Sequence, residues 1–258
     1  MGVFRLEDKG RIEGFLRGSA ALHIYGLGDL DERFWPDTEW YGLRKGRALA
    51  AVAFLYRRAT LLALCPEEGT EPMRELLQGI DLPDRIYAHL SPGLAGAAAR
   101  RHRVIPHGTH LKMILEDASN LGGVDITAAE SLSPGHVEEL RVFYQESYPG
   151  NWFDPATLDT GQYFCVRQEK RLAAVAGVHV YSPRTRVAAL GNIATHPAFR
   201  GRGLGRVVTA AVCRSLLKSV DLVGLNVKAD NAPAVRLYAS LGFRRVAAYE
   251  EVELESGT

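Results

Sequence analysis

The chain has 258 residues, with Lys+Arg 31 against Asp+Glu 30, 47% hydrophobic and 24% charged residues. That length suits one or two domains of about 100–200 residues each, and the composition excludes collagen-like, disordered and coiled-coil chains. A formal charge of +1 leaves no global field to draw the chain to nucleic acid or an acidic membrane surface, and no apolar run approaches the ~18 residues of a membrane span.

Residues 1–6 lack the apolar stretch of a signal peptide, and Leu6 stands where a myristoylation motif needs Ser or Thr. Cys65, Cys165 and Cys213 are far apart, each inside an apolar run, which reads as reduced core thiols. Both features lead us to expect a cytoplasmic protein. Strand signals then follow at 39–43, 49–56 and 61–64. After Pro66 come a helix near 71–78, a strand at 85–89, a helix after Ser91-Pro92 and a strand at 109–115.

Short polar residues and paired glycines at 117–123 interrupt two apolar segments, and we place a domain boundary there, dividing the chain into 1–118 and 119–258. Beyond it, Ser133-Pro134 reads as an N-cap with proline at the first helical position, opening a helix to about Tyr148, where Pro149-Gly150 stops it. Runs at 163–168, 172–181 and 187–195 form an antiparallel meander. Leu204, Val207, Val208, Ala211, Val212 and Leu216 make one helical stripe. A short buried strand at 222–227, a helix capped by Asp230/Asn231, a stop at Gly242 and a final strand pair to Leu254 complete the series.

The pentapeptide LAAVA occurs at 49–53 and again at 172–176, and the order of elements around the two copies agrees. We therefore expect an internal duplication of one α/β unit.

The most informative segment is 191–205, where a strand ends, a turn holds Gly201, Gly203 and Gly205, and a helix begins. Glycines let backbone N–H groups converge on a ligand, a helix N-terminus adds partial positive charge, and Arg200, Arg202 and Arg206 favour an anion such as a diphosphate. A phosphate-loop NTPase needs Gly-Lys-Ser/Thr, which is absent. A dinucleotide fold needs G-x-G-x-x-G and an acid at the carboxyl end of the next strand. The spacing is G-x-G-x-G, and Asp221 precedes its strand. A tight turn without a ligand is the remaining alternative.

Here the sequence resembles the GNAT superfamily of acyl-CoA-dependent N-acetyltransferases. Their signature, Arg/Gln-x-x-Gly-x-Gly/Ala, is matched by Arg200, Gly203 and Gly205. A second family segment is matched by Leu225-Asn226-Val227, then Asn231, Ala234, Tyr238 and Leu241-Gly242-Phe243. The resemblance covers about residues 124–254. It implies an α/β (α+β) architecture, a mixed, mostly antiparallel central sheet flanked by helices, duplicated in tandem with a degenerate first copy.

The resemblance also implies acetyl-CoA as acyl donor. Ile193 and Ala194, in a strand that splays from its neighbour, would hold the pantetheine arm through their backbones. Amides of Gly201, Arg202, Gly203, Leu204 and Gly205 would hold the diphosphate, beside Arg200 and Arg206. Asn226 belongs to the second motif, Asn231 would fix the thiol end, and Tyr238 would protonate the departing thiolate. A phenol of pKa ~10 can serve a thiol of ~8.5 only when poised close to it.

Many family members place a Glu base on the strand before the turn, yet 187–197 holds neither Asp nor Glu. His179, His196 or a water chain are the candidates for the base. The loop 148–155 falls where the family builds the acceptor site, for a small-molecule or peptide amine, and packing around Trp152 is its structural alternative. His102, His107 and His110 are irregularly spaced with no Cys or carboxylate cluster, so no metal is expected.

In the first half, the segment matching the diphosphate turn is Cys65-Pro66-Glu67-Glu68-Gly69-Thr70-Glu71, whose acids would repel a diphosphate. Ala97 to Ala99 stand where the tyrosine would be. Residues 1–116 are therefore expected to bind no CoA and to brace the catalytic half or shape its acceptor cleft. A CoA-binding sensor without catalysis is the rival function, and a nucleotide-dependent oxidoreductase a weaker one.

Overall fold

The computed structural model describes residues 2–99 and 102–256. Its elements run in chain order as β1 (Val3–Arg5), α1 (Lys9–Arg17), α2 (Ile24–Asp29), β2 (Thr38–Lys45), β3 (Ala48–Tyr56), β4 (Thr60–Ala63), α3 (Thr70–Gln78), β5 (Arg85–Leu90), α4 (Ala95–Ala98) and β6 (His102–Leu115). They continue as α5 (Ser119–Gly122), β7 (Ala129–Ser131), α6 (Val137–Ser147), β8 (Phe164–Gln168), β9 (Arg171–Ser182), β10 (Val187–Thr195), α7 (Leu204–Leu216), β11 (Leu222–Lys228), α8 (Ala232–Ser240) and β12 (Phe243–Ser256).

Two compact units emerge. Unit one comprises Met1–Lys112, Val227–Asp230 and Arg245–Thr258, and unit two comprises Met113–Asn226 and Asn231–Arg244. The division is not a single cut in the sequence.

In unit one the strand order is β1-β2-β3-β4-β5-β12-β6. β2, β3 and β4 pair antiparallel, β4 and β5 pair parallel, and β12 runs antiparallel to β5 with Glu250 opposite Leu90 and Glu255 opposite Arg85. One face carries alternate residues such as Leu43, Ala53, Leu61, Ile86, Ala88 and Val252. Met73, Leu76 and Leu77 of α3 close over it. The period of two on the strands meets the helical period of α3, which is why the alternating apolar pattern is buried on one side.

In unit two the order is β11-β10-β9-β8-β7. β7 to β10 form the antiparallel meander and β11 joins β10 in parallel. Leu172, Ala173, Ala174, Val175 and Ala176 are all buried, as a strand covered on both faces requires. α6 and α7 both pack on β9 and β10. Ser133 and His136 make the reciprocal cap that precedes α6, while Gly242, at φ 95°, ends the α8 turn.

The short elements β1, α5 and β7 are not expected from the sequence, and three further departures have a clear cause. The anticipated strand pair before Leu254 is one strand of 14 residues, because the run from Arg245 to Tyr249 has no Gly, Pro, Asn or Asp with which to turn. The helix after Ser91-Pro92 is a single turn of 4 residues. α1 and α2 have no counterpart in the sequence reading, since Gly10, Gly14, Gly26 and Gly28 interrupt their periodicity.

Candidate active site

Unit two holds every residue singled out for chemistry. β10 and β11 are paired from Val187↔Leu222 to Leu190↔Leu225 and no further, so past Leu190 the β10 backbone has no strand partner on that side. On its other side, Gly191 opposes Gly177 and Ala194 opposes Val175, so β10 carries an extra residue there. This is a β-bulge, and Asn192 within it has φ 55°. Ile193 and Ala194 follow directly, Ile193 half-buried and Ala194 buried, at the point where the two strands have parted.

The turn comes next. Gly201 and Gly203 have φ values of 76° and 75°, which a side-chain-bearing residue adopts only at a cost. Gly203 is the N-cap of α7, and the first amides donating into that helix are those of Arg206 and Val207, both to the Gly203 carbonyl. Among the described residues, the amide N–H groups of Gly201, Arg202, Gly203, Leu204 and Gly205 meet no internal acceptor. Such a row of unpaired donors at the positive end of a helix is a receptor for an anion. Arg200, Arg202 and Arg206 are exposed beside it, Arg200 Nε donating to the Thr195 carbonyl (3.2 Å) and Arg202 lying over the Phe199 ring (5.3 Å). A Cβ on Gly205 would stand 3.2 Å from Thr195 Oγ1, so glycine lets the helix start close to the strand end.

Asn226 is half-buried near the end of β11, and the exposed Asn231 caps α8 by accepting from the Ala234 amide (3.2 Å). Tyr238 is buried on α8 with its ring edge-on to Phe243 (6.0 Å). Burial, with the Tyr148 phenol nearby, pushes the Tyr238 pKa up, so its hydroxyl stays protonated, and it has no hydrogen-bond partner among the described residues.

The two histidine candidates differ. His196 is held on both nitrogens: Nδ1 accepts from the Ala198 amide (3.2 Å) and Nε2 lies 3.2 Å from Glu146 Oε2, the oxygen that also faces Arg171 (3.3 Å). It caps a turn. His179 lies across the bulge strand, so close that a Cβ on Gly191 would fall 2.1 Å from its ring. Burial lowers its pKa to about 4, so the imidazole is neutral at pH 7, and Trp152 stands 5.9 Å from it.

The loop 148–155 lines a cavity of about 510 Å³ together with α6, through Arg141, Tyr144, Tyr148, Asn151, Phe153 and Pro155. Two of these tyrosines lead inward. Tyr148 is near enough to Tyr238 to perturb it, and the Tyr144 hydroxyl donates to the Asn192 carbonyl (2.9 Å). Asn192 Nδ2 donates in turn to the Tyr163 hydroxyl (2.8 Å). Sequence reasoning missed this relay. Its one signal was a Gly-Asn pair inside an otherwise apolar strand, a bulge signature.

The match to the acetyltransferase (GNAT) family model runs over residues 129–243, the stretch that contains the bulge, the turn and Tyr238. This part of the chain is similar to the GNAT acetyltransferases. A mycothiol acetyltransferase of Kineococcus radiotolerans is 39% identical over 106 residues, which are 41% of this chain and 32% of that protein. The chain spans about a third of the length of the curated relatives it matches. An acetyltransferase structure assigned to the GNAT family, from Novosphingobium aromaticivorans, is 25% identical with a TM-score of 0.59, covering 84% of this chain and 92% of that one. A tandem GNAT protein from the clavulanic acid biosynthesis pathway matches in fold across 99% of this chain and 98% of its own, with a TM-score of 0.55 and 18% identity. The GNAT fold thus accounts for both halves, as the duplicated order of elements anticipated.

Among the described residues, no group of three or more His, Cys, Asp or Glu is arranged to hold a metal ion, and no helix is long and apolar enough to cross a membrane.

Proposed function

We propose that the chain is an N-acetyltransferase that moves the acetyl group of acetyl-CoA to a primary amine, with the donor held by unit two. The observation that carries this reading is the row of unpaired amides at 201–205, set beside a β10 edge with no strand partner. The first is a fitting cradle for a diphosphate and the second for the amide-rich pantetheine arm. Acetyl-CoA supplies the activated acyl thioester, and the chain's own residues do the rest. Ile193 and Ala194 align the donor through their backbones, and the 510 Å³ cavity receives the acceptor.

The amine nitrogen forms a bond to the acetyl carbon as the carbon–sulfur bond breaks. The Tyr238 hydroxyl gives its proton to the departing sulfur and recovers one from solvent. Aligning two bound reactants is the main source of rate, since the backbone amides and the cavity replace a chance encounter. The proton leaving the amine goes to water, for His196 is already held on both nitrogens and burial keeps His179 neutral. The first half, including residues 1–116, serves as a copy without CoA. A small amine is the acceptor class, the free Cys65, Cys165 and Cys213 support a cytoplasmic location, and acceptors of mycothiol acetylation are the first to screen, given the name of the relatives.

The test has two arms. Acetyl-CoA at a hundredfold over its Kd should stabilise the protein by ~2.7 kcal/mol, and no thermal shift at millimolar acetyl-CoA sinks the reading. Tyr238→Phe should lower CoA release with a responsive amine by roughly a hundredfold or more while acetyl-CoA affinity holds. A protein that binds acetyl-CoA but releases no CoA with any amine is a sensor instead.

A further inference from the structure

We propose that Tyr144 is a positioning residue for acyl transfer: its hydroxyl fixes the β10 bulge on which the thioester is aligned, while its ring walls the acceptor cavity. This rests on the reading of unit two as an acetyl-CoA site.

The bulge needs something to hold it. Two β10 residues stand between the Gly191↔Gly177 and Ala194↔Val175 pairs where β9 has one, and Asn192 sits at φ 55°, a conformation unfavourable to most side chains and best tolerated by Asn. With β11 no longer paired past Leu190, no sheet neighbour on that side restrains it. The restraint comes from hydroxyl groups. Tyr144 donates to the Asn192 carbonyl (2.9 Å), and Asn192 Nδ2 donates to Tyr163 Oη (2.8 Å). Tyr163 shares its proton between the Val178 carbonyl (3.1 Å) and Thr157 Oγ1 (2.8 Å), since Thr157 spends its own on the Asp154 carbonyl (2.6 Å). Every donor of the relay meets an acceptor, while Asn192 Oδ1 stays buried without a partner, so the hold on the bulge runs through the Asn192 carbonyl and Nδ2.

The packing around the relay is equally committed. A Cβ on Gly177 would fall 2.2 Å from the Tyr163 ring, and one on Gly191 would fall 2.1 Å from His179. Paired glycines therefore open the space in which the two rings lie against the strands. Within this arrangement Tyr144 is distinctive, because the same side chain also lines the cavity, its ring 5.2 Å from that of Phe153. An acceptor seated there touches the residue that sets the bulge. Removing the Tyr144 hydroxyl leaves the ring and the cavity in place, and frees the Asn192 carbonyl.

The probe is acetyl-CoA labelled with carbon-13 at the acetyl carbonyl, bound to the full chain, with its resonance and its Kd both measured. In the wild type the bound carbonyl lies downfield of free acetyl-CoA. In Tyr144→Phe it moves back toward the free position while Kd changes by less than about threefold. Asn192→Gly, which keeps the left-handed φ and the carbonyl, retains the wild-type resonance, whereas Asn192→Val reproduces Tyr144→Phe. An unchanged resonance in Tyr144→Phe, or a Kd that weakens in step with the resonance, overturns the proposal. Should Tyr144→Phe fail to fold, 3-fluorotyrosine at position 144, which keeps the ring and hydroxyl but changes the strength of its hydrogen bond to the Asn192 carbonyl, shifts the bound resonance, and an unchanged resonance there overturns the proposal. A wild type that binds no acetyl-CoA overturns the underlying reading, and this one with it.

Discussion

After Leu190 and Leu225 the parallel strands β10 and β11 of unit two stop pairing, and the edge of β10 lies open. After Ala63 and Leu90 the parallel strands β4 and β5 of unit one also stop, and there a side chain closes the gap. Ser91 Oγ accepts from the Cys65 amide (2.9 Å) and donates to the Cys65 carbonyl (3.0 Å), so both backbone groups that a ligand would seek are satisfied internally. The turns that follow diverge in the same sense. Unit two has left-handed glycines and no acid in the first turn of α7, while unit one has Gly69 at φ −103° and Glu71 in the first turn of α3. The side chain of Glu68 lies outside the described residues. One fold thus holds a receptive and a sealed version of the same strand end, separated by a few side chains.

The largest effect expected from this contrast is at the glycines. Gly201→Ala combined with Gly203→Ala places a Cβ at two left-handed positions, at ~1–2 kcal/mol each. Urea unfolding of the acetyl-CoA-bound protein should show ~2–4 kcal/mol lost. The matching Gly69→Ala should shift stability by less than ~0.5 kcal/mol, since its chain entropy gain offsets a weaker N-cap. Equal losses at the two turns would show that the left-handed geometry of unit two is nothing special.

Next in size is Ser91→Ala. It strips two partly buried backbone groups of their partner and should destabilise the protein by ~1–2 kcal/mol in chemical unfolding. Calorimetry should still count one acetyl-CoA per chain, because the acidic turn remains. A second bound equivalent would mean that Ser91 alone seals unit one.

The smallest effect belongs to charge. Arg206→Gln should weaken acetyl-CoA binding by ~0.5 kcal/mol, a loss that fades at high salt, and Glu71→Gln should leave it unchanged. Identical responses to both substitutions would undo the claim that charge at these turns acts locally.

The elements of unit two were legible because its period-two and helical stripes are long and its punctuation is strong: Ser133-Pro134 opens a helix and Pro149-Gly150 closes it. The glycine turn was legible because its chemistry is local in sequence. The relay through Tyr144, Asn192, Tyr163 and Thr157 was not, since these residues span 144 to 192 and meet only through tertiary packing. Tyr144 in particular lies on the apolar stripe of α6 beside Leu140 and Phe143, where the sequence shows only a core aromatic. Ser91 was read as the start of a helix, and nothing local reveals that its hydroxyl faces Cys65, 26 residues away.

The pairing of β12 with β5 bears on how the polypeptide acquires its shape. Tyr87 and Glu251 are partners across 164 residues. During synthesis β5 is complete long before β12 exists, and it waits with one bare edge until nearly all of unit two has been made. Closing so long a loop makes the sheet of unit one a late product of folding, although its strands are the first to be translated. The first half of the chain to be translated therefore completes its sheet only once the last strand has been made.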